Sequence, residues 1–399
     1  MNKMNILAIA NGFGLFQPSS GGRNRFYNLV AQLAKRNRIL ILQPLKYKTT
    51  RDDSFGTVSH FRAHIKNRTF NVLTDFNLAF VAKFLNIVRK EQIDVIQMSH
   101  PWGIIATKLM MKLLRKGASA VVYDAHNVEG DAVQSYTYGV KGSAAPFVKK
   151  FLTLLFISYV PIQERIAVKC ADYILAVSDE DKARFVQKYR IQENKIIVVP
   201  SGVDVKNITL HKTIKPEFLP EKEIKNIIFF HGSYFHPPNK EAIYLITDYL
   251  APRIATITKN ALFVIAGPEV PIFEQENIKS LGFVQDIYSL IESADIAVVP
   301  ILRGEGTRLK ILDYMGAGLP IVTTKKGIEG IKAENMKHAV VVDNVDEQFI
   351  EAIIYLLNNE EVRKQLGTNA RQLAEKEYDW ERIGQSLCDF YEKIVRKNV

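Results

Sequence analysis

Residues 295–318, DIAVVPILRGEGTRLKILDYMGAG, decide the reading of this chain. The run Asp295 to Pro300 is short, apolar and rich in Val, Ile and Ala, which predicts a strand of a parallel sheet buried on both faces. From Thr307 the apolar positions Leu309, Ile311, Leu312, Met315 and Ala317 recur at helical spacing. Thr307 suits an N-cap, and Gly316 and Gly318 sit where such a helix stops. The unit therefore reads as strand, glycine-rich turn, short helix. A helix start presents unpaired amides and the positive end of the macrodipole, and Gly304 and Gly306 would let a phosphate approach that backbone closely. Arg308 and Lys310 add formal charge beside it. Glu305 stands in the turn, and Asp313 falls roughly 9 Å along the helix axis from Thr307 at about 1.5 Å per residue. A nucleoside diphosphate sugar fits that line, with its sugar at Glu305, its diphosphate at the helix start and its ribose at Asp313. The competing reading is an ordinary Lys310–Asp313 ion pair on a helix that follows a tight turn.

A chain of 399 residues exceeds one core, so two domains of roughly 200 residues are expected. Hydrophobic content of 47% with 24% charged residues excludes a disordered chain. The first apolar stretch is broken by Asn11 and Gly12, too early for a secretory signal, and reads as a first strand. The longest apolar run, Phe151 to Ile162, falls well short of the roughly 20 residues that a membrane-spanning helix needs. Cys170 and Cys388 lie in helix-like segments without metal or redox spacing, which points to a reducing, cytoplasmic compartment.

Charge is unevenly placed. Residues 1–205 hold 29 Lys and Arg against 15 Asp and Glu, whereas the remainder hold 24 against 27. An anionic partner for the first half follows: a membrane surface, a phospholipid or polyprenyl phosphate, or nucleic acid. No nucleic-acid reading motif accompanies the charge, so nucleic acid is not expected.

Strand-like and helix-like segments alternate throughout. Strands are expected at 5–10, 39–43, 95–98, 120–124, 173–177 and 195–200, then at 226–231, 261–266, 278–283, 296–300, 321–323 and 340–342. This is an α/β pattern of two doubly wound, Rossmann-like domains, 1–205 and 226–378. The polar segment 206–225, with Pro216 and Pro220, reads as a linker, and the helix within 379–399 could pack back on the first domain. Ligands of such sheets bind beyond the carboxyl ends of the strands, in a deep cleft where two such domains face each other.

Other strand ends add candidates. Gly21 and Gly22 open a helix bearing Arg23 and Arg25, a loop suited to a diphosphate, an anionic acceptor or a mere turn. His126 follows the strand at 120–124. In YILAVSDED, Asp179 and Asp181 form an Asp-x-Asp string, but Ser178 as N-cap with acids in the first turn explains them. No other cluster has ligand spacing, so neither metal nor cofactor is expected. Gly232 and Ser233 end the strand at 226–231, with Lys240 in the next helix and His231 and His236 unassigned.

Together these segments resemble the retaining glycosyltransferases of family 4, with the GT-B fold. The resemblance rests on VVPSGVD (Val198–Asp204), AVSDED, VIAGPE (Val264–Glu269), LGFVQDIYSLIESADIAVVP and the GEGTRLKILDYMGAGLPIV block, in that order. It implies a nucleotide-sugar donor bound mainly by the second domain and a glycan, glycolipid or polyprenyl-linked acceptor bound mainly by the first. It implies Glu305 near the donor sugar and Asp313 at the ribose, His126 beside the reacting sugar, and Gly267 with the backbone of Phe283 and Val284 bordering the base. Catalysis would fall to Glu305, His126 and Arg308. Donor binding would fall to Gly21, Gly22, Gly232, Ser233, Lys240, Gly267, Phe283, Val284, Gly306, Thr307, Lys310 and Asp313. The chain departs from the family pattern twice: Asp313 stands where Glu is usual, and Ser233 where many members have Arg, with Lys240 falling slightly late. Arg308 and Lys310 are the candidates for the missing charge. The implied reaction is transfer of a hexose with retained configuration, with the leaving phosphate taking the acceptor proton. A sugar-nucleotide epimerase or phosphorylase of the same architecture, or a non-catalytic binder of nucleotide sugar or nucleic acid, are the rival readings. Arg62, Lys66 and Arg68 with Phe61 and Phe70, the segment 108–116, and Lys149–Lys150 suggest a surface that rests peripherally on the cytoplasmic face of an anionic membrane, while the cations of 108–116, ending at Gly117, equally suit a plain helix C-terminus.

Overall fold

The computed structural model describes residues 3–11, 21–45, 56–62, 73–115, 119–133, 147–208 and 226–397, with the side chains of 147–154 and 156 excluded. The chain divides into two compact units, Met1–Ser201 with Trp380–Val399, and Gly202–Asp379.

The first unit runs β1 (Asn5–Ala10), α1 (Gly21–Ala34), β2 (Arg38–Pro44), β3 (Thr57–Phe61), α2 (Leu78–Lys90), β4 (Val95–Ser99), α3 (Ile104–Leu113), β5 (Ala120–Asp124), α4 (Phe147–Cys170), β6 (Tyr173–Ala176), α5 (Asp179–Tyr189) and β7 (Ile196–Val198). Its strands form one parallel sheet in the order β3-β2-β1-β4-β5-β6-β7. Side chains alternate between its faces, as the pleat requires. Leu7 and Ile9 of β1 join the core under α2, α3, α4 and α5, whereas Ile6 and Ala8 join the core under α1. Burial on both faces is why these strands read as unbroken apolar runs.

The second unit runs β8 (Asn226–His231), α6 (Pro237–Leu245), α7 (Ala251–Ile257), β9 (Ala261–Ala266), β10 (Phe273–Gln275), β11 (Ile278–Gly282), α8 (Ile287–Ser293), β12 (Ile296–Val299), α9 (Leu309–Gly316), β13 (Ile321–Thr324), β14 (Val340–Val342), α10 (Glu347–Asn358) and α11 (Glu360–Leu373). Its sheet order is β10-β11-β9-β8-β12-β13-β14, parallel except for β10 against β11. Helix α12 (Trp380–Lys397) then returns to the first unit. It packs on α1, with Trp380, Leu387 and Tyr391 buried in the same core as Phe26 and Leu29. Each such side chain contributes about 1.5–3 kcal/mol by leaving water.

Sequence patterning missed β3 and β10. Both are short edge strands, TVSHF and FEQ, that lack an apolar run because edges are only partly covered. The change of unit falls between Ser201 and Gly202, ahead of the segment 206–225 read as a linker, because Val203, Val205 and Ile208 bury in the second core. Residues 209–225 lie outside the described residues.

Strand order reverses beside β1 in one sheet and β8 in the other, and such switch points open a crevice at the carboxyl ends. His231 closes β8, Gly267 follows β9, and the loop 300–308 follows β12, neighbours in one sheet. In the first unit Asn11, His100 and His126 hold the matching places after β1, β4 and β5.

Candidate active site

At the carboxyl ends of β8 and β12 stand His231 and the loop that leads to Arg308 and Lys310. Helix α9 starts at Leu309, with Arg308 rather than Thr307 at the N-cap and no side chain capping it. The shift has a cause in Arg308 itself. Its guanidinium turns back into the preceding loop, where Nη1 donates to the carbonyls of Glu305 (2.8 Å) and Gly306 and Nη2 to that of Gly304 (2.8 Å). Gly304 and Gly306 adopt left-handed backbone (φ 107° and 80°), which turns those carbonyls inward. The Arg308 charge is thus engaged by the main chain of its own loop. Its Nε, and the Thr307 hydroxyl oxygen, are buried with no hydrogen-bond partner among the described residues.

Lys310 is different. Its ammonium is buried, 2.8 Å from Asn239 Oδ1 and 3.9 Å from the centre of the Phe230 ring. Among the described residues no carboxylate comes within ion-pairing distance of it. Burial, and then the charge of Arg308, push its pKa well below that of an ordinary lysine. The helical Lys310–Asp313 ion pair offered by the sequence does not form. Asp313 instead accepts from the Tyr288 hydroxyl (3.2 Å) and lies 3.7 Å from His231 Nε2. Burial raises its carboxyl to about 6. His231 meets the Tyr314 hydroxyl at 2.9 Å, and burial with the Lys310 charge lowers its pKa to about 3, so the imidazole is neutral.

Glu305 lies 3.8 Å from Lys326 Nζ, and Lys326 also pairs with Glu329. Ser233 donates to Glu269 at 3.3 Å. The amides of Gly232 and Gly267 continue the sheet ladder, onto Ala266 and Gly282 carbonyls. Lys240 stands apart, exposed over the Tyr234 ring at 5.0 Å. Phe283 is exposed, whereas Val284 packs on the core. Ten of the sequence candidates for the donor thus share this unit, and Gly21, Gly22 and His126 belong to the first.

In the first unit Arg25 does not serve as a ligand group. It forks onto Asp124 Oδ1 (2.9 and 2.7 Å) and the Val199 carbonyl (2.7 Å), fully buried. Gln97 extends this network from Asp124 at 3.5 Å to the Tyr391 hydroxyl of α12 at 2.9 Å. His126 is bonded to Ser99 through Nε2 at 2.7 Å, and its ring lies 4.5 Å from that of His100. Burial first, then His100 and Arg25, hold it well below the ordinary imidazole pKa. Gly22 is needed here, because a Cβ at that position would come within 2.4 Å of the His126 ring. His100, itself at φ 70°, pairs with Glu129 at 3.0 Å. Behind them Glu164 of α4 accepts from the amides of Glu129 (2.9 Å) and Gly130 (2.7 Å) and from the Tyr123 and Tyr189 hydroxyls. Burial raises it to about 7. The Asp179–Asp181 string is a capped helix start, with Ser178 accepting from the Asp181 amide.

Asn239, Tyr288, Lys326 and Glu164 escaped the sequence reading. Each touches its partner across tens of residues, and no spacing in the chain announces that.

Comparison with known proteins adds the lineage. The family described as Glycosyltransferase Family 4 matches residues 19–207, and that described as Glycosyl transferases group 1 matches residues 225–359. The MMP alpha-(1->4)-mannosyltransferase of Mycolicibacterium hassiacum is 24% identical over 65% of this chain and 62% of its own length. The UDP-Gal:alpha-D-GlcNAc-diphosphoundecaprenol alpha-1,3-galactosyltransferase of Escherichia coli is 23% identical over 67% of each chain. The match therefore spans under two thirds of the first of these relatives. A glycosyltransferase structure from Rickettsia africae superposes with a TM-score of 0.71 over 99% of both chains at 16% identity, a likeness of fold. With both units matched in sequence and in fold, the chain belongs to the group 1 glycosyltransferases of family 4, on the GT-B fold.

Proposed function

We propose that this chain is a retaining hexosyltransferase that takes its sugar from a nucleoside diphosphate donor and delivers it to a hydroxyl of a glycan, glycolipid or polyprenyl-linked acceptor. The observation that carries the reading is Lys310: a buried ammonium whose hydrogen-bond partner among the described residues is a neutral amide, three positions after Thr307, whose buried hydroxyl oxygen also has no partner among them. A buried cation without a counter-charge is costly, and a diphosphate supplies the missing charge and acceptors. As the bond from the anomeric carbon to the phosphate oxygen breaks, negative charge grows on the diphosphate. A cation already desolvated there stabilises that state more than the ground state. Arg308 acts by holding the Gly304–Gly306 loop rather than by touching phosphate, which keeps Glu305 in place for the sugar. Asp313, as a carboxylate, accepts from the ribose hydroxyls, with Tyr288 fixing its orientation. The similar Escherichia coli galactosyltransferase is, by its name, one that uses UDP-Gal and alpha-D-GlcNAc-diphosphoundecaprenol, which supports a donor and an acceptor of these classes.

In the first unit the neutral His126, oriented by Ser99, is the group we assign to the transferred sugar. The acceptor proton leaves on the departing phosphate, so no separate protein base is invoked. Because Lys310 supplies the charge, the reaction is read as one that persists in EDTA.

The test is a screen of nucleotide sugars for thermal stabilisation, followed by hydrolysis and transfer assays with the donor that binds. Donor binding with hydrolysis or transfer that Glu305→Ala abolishes supports the reading. Conversion of the donor to an epimer without acceptor identifies an epimerase instead, and binding without turnover leaves only a carrier.

A further inference from the structure

We propose that the outer faces of α3 and α4 form a docking surface for an anionic lipid bilayer. The two helices neighbour each other on one side of the first sheet, and Lys108 of α3 bonds to Asp172, just past the end of α4, at 2.8 Å. Their inward residues bury conventionally: Ile104 and Met111 from α3, and Ala167 and Val168 from α4. Their outward residues do not follow the usual rule that the solvent face is polar and of mixed charge. On α3, Leu109 and Leu113 are 52% and 67% exposed one turn apart. On α4, Ile162 and Ile166 repeat the pattern at 58% and 44%, with Leu155 two turns earlier.

The charges interleaved with them are all of one sign. Lys112 and Arg115 flank Leu113, and Arg165 and Lys169 flank Ile166, each exposed and, among the described residues, without a carboxylate in ion-pairing range. The sequences of α3 and α4 contain a single acid, Glu164, and it is buried behind the His100–Glu129 pair. A solvated face would intersperse both signs, and a self-association patch would exclude lysine from its centre. Exposed aliphatics ringed by cations, with Asp172 at the edge already taken up by Lys108, are the complement of a bilayer interface, where apolar groups enter the acyl boundary and each Lys or Arg meets an anionic headgroup. No helix among the described residues is long and apolar enough to cross a membrane, so contact here is peripheral. Lys149 and Lys150, picked out by sequence, belong to the same helix, but their side chains lie outside the described residues, as do Lys66, Arg68 and Phe70.

The inference deepens the transferase reading by naming where a lipid-borne acceptor would be met, yet its test has no enzymatic readout and stands if that reading falls. The full chain is sedimented with phosphatidylglycerol-containing vesicles and with pure phosphatidylcholine vesicles at low and raised salt. Binding to the anionic vesicles alone, weakened by salt, is expected. Lys112→Gln with Arg165→Gln should lower partitioning roughly 25-fold, at about fivefold per cation. Leu113→Ser with Ile166→Ser should weaken it at every salt concentration, and far-UV circular dichroism checks that both variants fold. Failure of the wild type to bind anionic vesicles overturns the proposal. Equal binding by wild type and variants places the contact elsewhere and overturns it too. Dimerisation in solution that Leu113→Ser with Ile166→Ser abolishes, without vesicle binding, would make a second copy the occupant and overturn the lipid assignment.

Discussion

The two units share a plan of seven strands with helices on both faces, but they treat a buried cation in opposite ways. In the first, Arg25 is met by Asp124 in a forked pair and by a backbone carbonyl, and the network continues through Gln97 to Tyr391. In the second, Lys310 has an amide oxygen and an aromatic face, while the nearest acid of its helix, Asp313, is turned to Tyr288 and His231. One site has closed its electrostatics and holds the unit together. The other is left incomplete, which is what a site for an anionic ligand requires.

The largest effect expected from that contrast is on stability. Arg25→Met strands Asp124 as an uncompensated buried charge and should destabilise the protein by about 3–5 kcal/mol in urea unfolding. Lys310→Met removes a buried charge that, among the described residues, meets no carboxylate within ion-pairing distance, so stability should hold or rise. Turnover should drop by about 100- to 1,000-fold, the scale of losing one preorganised donor to a developing anion. If both variants merely unfold the protein, the two sites are alike and the contrast is void.

A smaller effect concerns pH. Asp313, raised to about 6, must lose its proton to accept from two hydroxyls. Nucleotide affinity should therefore weaken as pH falls through 6, by up to about tenfold per unit, and Asp313→Asn should bind weakly with no such slope. Calorimetric titration with the nucleoside diphosphate at pH 5 and 7.5 checks this.

The first unit has its own titration. Glu164, raised from 4.5 to about 7, keeps its proton in the folded state over a window in which the unfolded chain has lost it. Its contribution to stability is full below 4.5 and is lost as pH rises through 7. Glu164→Gln should flatten that decline, seen as a smaller difference in melting temperature between pH 5 and 7.5. The smallest effect is steric. Gly22→Ala, meeting the His126 ring, should lower turnover while leaving donor affinity in the second unit unchanged, as kinetics and titration on one variant would show.

Much of this was legible in the chain. Apolar runs gave the interior strands within a residue or two, because strands buried on both faces cannot disguise themselves. The Gly304–Gly318 segment gave its turn and helix for the same local reasons. The edge strands β3 and β10 escaped because they lack an apolar run, whereas the edge strands β7 and β14, IIV and VVV, kept one and were legible. Thr307 failed as a cap because Arg308 found better partners in the loop behind it, a contest that composition cannot judge.

By itself, then, the sequence determined which segments are strands and helices, and which charged residues gather beside glycine turns, since both follow from short-range periodicity and backbone chemistry. Only the tertiary structure decided which of those charges are already engaged by the fold. Arg25 and Arg308 looked as available as Lys310 until partners as distant as Asp124 and Val199, or main-chain carbonyls turned by positive φ, came within reach. Whether a charge can serve a ligand depends on what else surrounds it in three dimensions, and chain spacing carries no record of that.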